Sequence, residues 1–144
     1  MNSITCSIGG LTADELTDLW RAVGWGEVNG IQAETGVKNS VNAVAKDDGR
    51  TIGCARLVTD GGYQVLLADV MVHPDYQRRG IGTALVKKLL EYLEQKRLPG
   101  QWYFISLMSN KGKENFYKQL GFIERPNDDS AGMGAGMIMY IGRE

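Results

Sequence analysis

Apolar positions along the chain switch between helical and strand-like spacing, and the switches mark out the elements. Ser3 to Ile8 is short and strand-like and is ended by Gly9-Gly10. Thr12-Ala13-Asp14-Glu15 reads as a capping box, with Leu11 and Leu16 placed for a hydrophobic staple. Leu16, Leu19, Trp20 and Val23 continue one face, which predicts a first helix ending near Gly24. Trp25 to Gly36 is broken by glycines, and a second helix is expected over Gln32 to Ser40. The spacing then becomes that of a meander. Strands are expected at Val41–Ala45, Ile52–Val58 and Tyr63–Val72, joined by turns at Asp47-Asp48-Gly49-Arg50 and Asp60-Gly61-Gly62.

The Tyr63–Val72 strand is apolar on both faces. Leu66, Ala68, Val70 and Val72 alternate with Val65, Leu67 and Met71, which predicts a central strand. Asp69 is the exception, a carboxylate on the Met71 face of a buried strand, and such a group usually has a partner or a task. Helical spacing returns with Ile81, Leu85, Val86, Leu89, Leu90 and Leu93, closed by Pro99-Gly100. A strand over Trp102–Met108 follows, then a short helix over Asn110–Phe122 with Gly121 as its left-handed cap. Arg125–Gly136 reads as a polar loop and Met137–Ile141 as a closing strand. Strand, helix, strand implies a parallel crossover, while the meander is antiparallel. The expectation is one α/β (α+β) domain over residues 1–144, with a mixed, mostly antiparallel sheet flanked by helices.

Composition narrows the chemistry. A chain of 144 residues suffices for one core. The formal net charge of −1 argues against a nucleic-acid binder. No apolar run reaches membrane-spanning length, and no signal peptide is visible, so a cytoplasmic protein without membrane attachment is expected. Cys6 and Cys54 form no CxxC pair and read as reduced thiols. His73 is the single histidine, so neither a zinc site of ordinary spacing nor a Ser-His-Asp triad is expected, and no metal is. Carboxylates, tyrosine, backbone amides and a bound cofactor remain.

Between the central strand and the long helix lies Gln77-Arg78-Arg79-Gly80-Ile81-Gly82-Thr83. A helix N-terminus, glycines and two guanidinium groups make an anion site. Leu85 stands where a dinucleotide fingerprint needs its third glycine, and no Gly-Lys-Ser/Thr is present, so both common nucleotide loops are disfavoured. Val72-x-Pro74-x-Tyr76-Gln77-x-Arg79-Gly80-x-Gly82 resembles the acyl-CoA signature (Arg/Gln-x-x-Gly-x-Gly/Ala) of the GNAT superfamily of N-acetyltransferases. Asn110 followed by Phe116-Tyr117-Lys118-Gln119-Leu120-Gly121-Phe122 resembles that family's Asn…Tyr-x-x-x-Gly-Phe segment. Two motifs in the right order are far more specific than either alone, and they cover the second half of the chain.

The resemblance implies acetyl-CoA as donor, with its pyrophosphate on Arg78, Arg79, Gly80, Ile81, Gly82 and Thr83. Its pantetheine arm would run along Val70, Met71 and Val72, from which the next strand splays away, with Gln77, Asn110, Phe116 and Tyr117 also at the cofactor. Tyr117 matches the tyrosine that protonates the leaving thiolate. Asp69 matches the strand carboxylate that many relatives use as a base, with Glu27 and Glu34 as weaker alternatives. The acceptor is expected to be a primary amine on a small molecule, chosen by loops around Trp25 and Met133. A protein or peptide N-acetyltransferase and a non-catalytic CoA-binding sensor are the alternatives. A homodimer is common in the family and is a further expectation.

Overall fold

The computed structural model describes residues 3–126, 132–140 and 142. The chain divides into two compact units, Met1–Leu107 and Met108–Glu144. The first unit holds β1 (Ile4–Ile8), α1 (Ala13–Ala22), α2 (Gly30–Lys38), β2 (Val41–Asp47), β3 (Arg50–Thr59), β4 (Gln64–Val72), α3 (Ile81–Lys96) and β5 (Phe104–Ser106). The second holds α4 (Glu114–Gln119). The class is mixed α/β with an open, mostly antiparallel sheet, in agreement with the sequence pattern.

Strand order equals chain order, β1-β2-β3-β4-β5. The first four strands are antiparallel neighbours, and β5 joins β4 in parallel. The parallel pairing follows from α3, because a helical crossover returns the chain in the same direction. Residues of β2 and β3 alternate between two cores. Cys54 and Val44 join Leu11, Leu16, Leu19, Ala33 and Met71 under α1 and α2. Gly53 points the other way, where an added Cβ would lie 3.2 Å from Leu85 of α3 and 3.6 Å from Ala45.

Gly53 lies directly under Leu85 of α3, and the same Cβ would meet the Met71 carbonyl oxygen at 3.0 Å. Gly53→Ala is therefore expected to destabilise the protein by about 1–3 kcal/mol through overpacking. Urea denaturation measures this, and an unchanged midpoint would show that the helix can retreat.

The caps explain the helix starts. The capping box is present: Thr12 Oγ1 accepts from the Glu15 amide at 3.1 Å, and Glu15 Oε1 accepts from the Thr12 amide at 2.9 Å. The second helix begins at Gly30, two residues earlier than expected, because Asn29 Oδ1 accepts from the amides of Ile31 and Gln32. Its end at Lys38 leaves Ser40 free to bond the Gly36 carbonyl at 2.7 Å.

The other departures concern the last third of the chain. The strand expected over Trp102–Met108 is limited to Phe104–Ser106, because only Gln64, Val65 and Leu66 of β4 pair with it. Trp102 instead stacks against Tyr63 at 5.0 Å. In the second unit α4 starts only at Glu114, after Gly112 at φ 91 has turned the chain out of helical space. Residues 137–140 form no strand, and Met137 and Met139 are 89% and 83% exposed. Ile141 and residues 127–131 of the expected loop lie outside the described residues. Among the described residues, no helix is long and apolar enough to cross a membrane.

Candidate active site

The strand β4 is not a regular ladder. Arg56 pairs with Ala68 and Cys54 with Met71, so two steps on β3 correspond to three on β4. The extra residue is a bulge, marked by Asp69 at φ 52. It has two consequences. Side chains change face: Met71 shares a face with Cys54, whereas Leu67 lies opposite Leu57 on the other face. The alternation read from the sequence put Leu67 and Met71 together, and the bulge corrects this.

Backbone groups change edge as well. The Tyr63 carbonyl accepts from the Phe104 amide at 2.7 Å, so before the bulge odd-numbered residues turn toward β5. The His73 amide donates to the Ile52 carbonyl at 2.8 Å, so after the bulge odd-numbered residues turn toward β3. Val70 and Val72 are thereby turned to the edge where the β5 ladder has already ended at Leu66 and Ser106. These are donors and acceptors for an extended ligand chain beside the strand. The Val72 carbonyl already accepts from Gln77 Nε2 at 2.9 Å, which folds the turn back onto the strand end.

Asp69 is held from two sides. Oδ2 accepts from Arg56 Nε at 2.8 Å, and Oδ1 accepts from the Trp20 indole Nε1 at the longer distance of 3.3 Å. Both partners of the ion pair are 13% exposed. Arg56 Nη1 also donates to the Gly36 carbonyl at 3.0 Å and to Ser40 Oγ at 2.9 Å. The bulge is thus tied to α1, to the end of α2 and to β3. Beside it, burial pushes the Cys54 thiol far up, and its sulfur faces the Asp69 carbonyl oxygen at 3.4 Å, so this cysteine is a packing residue.

After β4, His73 caps a 3-10 turn over Pro74–Tyr76, its Nδ1 accepting from the Asp75 amide at 3.1 Å. The turn that follows enters left-handed space twice, at Arg78 (φ 65) and Gly80 (φ 79). Arginine in that region is strained, and such strain concentrates at ligand sites. Gly80 is the N-cap of α3 and bears no capping side chain, in contrast to Thr12 and Asn29. The first amides of α3, at Ile81, Gly82 and Thr83, therefore carry the helix's positive end without a side-chain acceptor. A Cβ on Gly80 would have nothing within 4 Å. Arg78 and Arg79 are exposed beside it. These groups fit an anionic diphosphate.

In the second unit Tyr117 lies on α4 with its ring edge-on to Phe116 at 4.9 Å and to Phe122 at 6.0 Å. Burial pushes its phenol upward. Gly121, at φ 100, ends the helix as expected. Asn110 is exposed, and its carbonyl accepts from the Lys113 amide at 3.0 Å.

The profile of the Acetyltransferase (GNAT) family matches residues 13–122, which takes in the bulged strand, the anion turn and Tyr117. The chain belongs to this family. An uncharacterized N-acetyltransferase of Pyropia yezoensis is 31% identical over 118 residues, covering 78% of this chain and 66% of its own. A histone acetyltransferase of Glycine max is 30% identical over 135 residues, covering 85% of this chain and 57% of its own. The chain thus spans less than two thirds of the length of these two relatives. A GNAT-family acetyltransferase of Streptococcus pneumoniae superposes with a TM-score of 0.74 at 31% identity, covering 98% of this chain and 99% of that one.

Within this GNAT chain three of the residues named for the acceptor side, Trp25, Glu27 and Met133, contact near neighbours. Trp25 packs edge-on to Trp20 at 5.3 Å, against the α1–α2 core. Glu27 pairs with Arg21 at 2.9 Å on the surface, and Glu34 is exposed on α2. Met133 Sδ lies 3.4 Å from Arg125 Nη1 in the second unit. Sequence reasoning missed Arg56 and Trp20. A signal for Arg56 existed: it interrupts an otherwise apolar strand of the meander, as Asp69 interrupts the next one.

Proposed function

We propose that this chain transfers an acetyl group from acetyl-CoA to a primary amine by direct attack in a ternary complex. The observation that carries the proposal is the sequence of features on one strand: a bulge that turns Val70 and Val72 outward, then an uncapped helix start with two left-handed turn residues. The first suits the pantetheine arm and the second the pyrophosphate, with Arg78 and Arg79 adding charge.

The chemistry follows from the residues assigned. Backbone groups near Val70 and Val72 orient the thioester carbonyl. The amine nitrogen attacks the carbonyl carbon, a C–N bond forms, and the C–S bond breaks. Asp69 takes the ammonium proton through water on Oδ1, the oxygen whose protein partner is the more distant. Arg56 keeps the other oxygen oriented. Tyr117 donates its proton to the departing thiolate, and the raised phenol ensures that it is protonated at neutral pH. A cytoplasmic location and a homodimer are further parts of this proposal, and both rest on the sequence reading alone.

A small-molecule amine is the first reading of the acceptor. An amine of a protein is the second, favoured by the name of the soybean relative, a histone acetyltransferase. A panel of small amines, a peptide with a free N-terminus and a lysine peptide, each with acetyl-CoA and scored by free thiol, separates them. Turnover on small amines supports the first reading, and turnover on peptides alone replaces it with the second. Acetyl-CoA binding without thiol release on any amine would overturn catalysis in favour of a CoA sensor.

A further inference from the structure

We propose that Tyr76, seated on Asp47, is a positioning residue that holds Arg79 ready for the pyrophosphate. The inference rests on the acetyl-CoA reading of the turn and goes one step behind it, to what orders an exposed arginine before ligand arrives.

Arg79 is on the surface, yet its side chain is placed by two contacts. Its guanidinium carbon lies 5.0 Å from the centre of the Tyr76 ring, and Nη2 donates to the Asp75 carbonyl at 3.1 Å. The ring is itself fixed. Tyr76 Oη donates to Asp47 Oδ2 at 2.5 Å, and Asp47 Oδ1 accepts from Ser3 Oγ. His73 stands edge-on to the ring at 6.2 Å. Asp47 is the last residue of β2, paired with Arg50 across the hairpin and with Ile4 of β1. The anchor therefore belongs to the sheet, 29 residues from Tyr76, and not to the turn.

Charge states agree with this geometry. The hydrogen bonds from Ser3 and Tyr76 hold the Asp47 carboxyl below the usual range, and the bond to Asp47 pushes the Tyr76 phenol up. At neutral pH the phenol is the donor and the carboxylate the acceptor, so the bond has one direction. A free arginine loses its rotamer freedom when it binds a phosphate, and one already stacked on a fixed ring loses less.

The test is equilibrium titration with acetyl-CoA and, separately, with S-acetyl-pantetheine, which lacks the pyrophosphate. Arg79→Ala is expected to weaken acetyl-CoA about tenfold. Tyr76→Leu is expected to weaken it about fivefold, and Tyr76→Phe, which keeps the ring face, about twofold. In the Arg79→Ala background Tyr76→Leu should add nothing, because the residue acts through Arg79. Neither Tyr76 variant should change the affinity for S-acetyl-pantetheine. If Tyr76→Leu does not fold, Asp47→Asn replaces it, with an expected loss of about twofold that disappears in the Arg79→Ala background. A Tyr76 or Asp47 effect that persists in full without Arg79, or that falls equally on S-acetyl-pantetheine, would overturn the positioning role. Unchanged acetyl-CoA affinity in Arg79→Ala alone would instead overturn the pyrophosphate assignment beneath it.

Discussion

Replacing Arg56 by alanine is expected to remove about 3–5 kcal/mol of folding stability. The loss comes less from the missing attraction than from what is left behind. Asp69 is 13% exposed, and its Oδ2 has Arg56 as its charged partner at 2.8 Å. Without the guanidinium, a carboxylate stays desolvated on a left-handed backbone it cannot easily leave. The Gly36 carbonyl and Ser40 Oγ also lose a donor, which loosens the end of α2. Against a total stability of about 5–15 kcal/mol, the fall should appear as a decrease of roughly 10–20 °C in Tm. Asp69→Asn tests the other side of the pair. Asparagine tolerates φ 52 as aspartate does, so the bulge keeps a compatible residue while the charge is lost. Thermal denaturation of both variants decides the matter, and a loss under about 1 kcal/mol for Arg56→Ala would show that the pair behaves as a solvated one.

Tyr117→Phe is expected to reduce kcat by about 100-fold while leaving acetyl-CoA affinity nearly unchanged. Phenylalanine keeps the ring contacts with Phe116 and Phe122, so α4 should stay intact, and the loss isolates the hydroxyl. The pH profile gives a second reading. Burial raises the phenol above its ordinary value of about 10, so its protonated form dominates throughout the neutral range. The alkaline limb assigned to Tyr117 should therefore lie above about pH 10 and vanish in the phenylalanine variant. Free-thiol release on the best amine of the panel, followed against pH, checks both. An unchanged kcat would assign the proton to another donor.

Much of the fold was readable because its signals are local. The Thr12–Glu15 capping box, the meander turn at Asp47–Arg50, the α3 stripe and the Gly121 cap each rest on residues within a few positions of one another. The anion turn was readable for the same reason. Errors arose where an element depends on a partner. Trp102–Met108 has strand-forming residues throughout, but only three of them find a ladder on β4. The run Met137–Tyr140 has strand-like composition and forms no strand. A period-two count also placed Leu67 and Met71 on one face, since it assumes that every residue advances the strand by one step.

The sequence by itself determined the family and carried the proposed donor and candidate chemistry, because Gln77–Gly82 and Asn110–Phe122 are contiguous and their spacing survives folding. Only the tertiary structure decided the phase of β4 and the partners of its charged groups. Asp69 meets Arg56 across 13 residues and Trp20 across 49, and Asp47 meets Tyr76 across 29. Those meetings depend on strand register, and one extra residue in a ladder reverses the direction of every group beyond it. That reversal is what turns Val70 and Val72 toward the edge where the donor arm is proposed to lie.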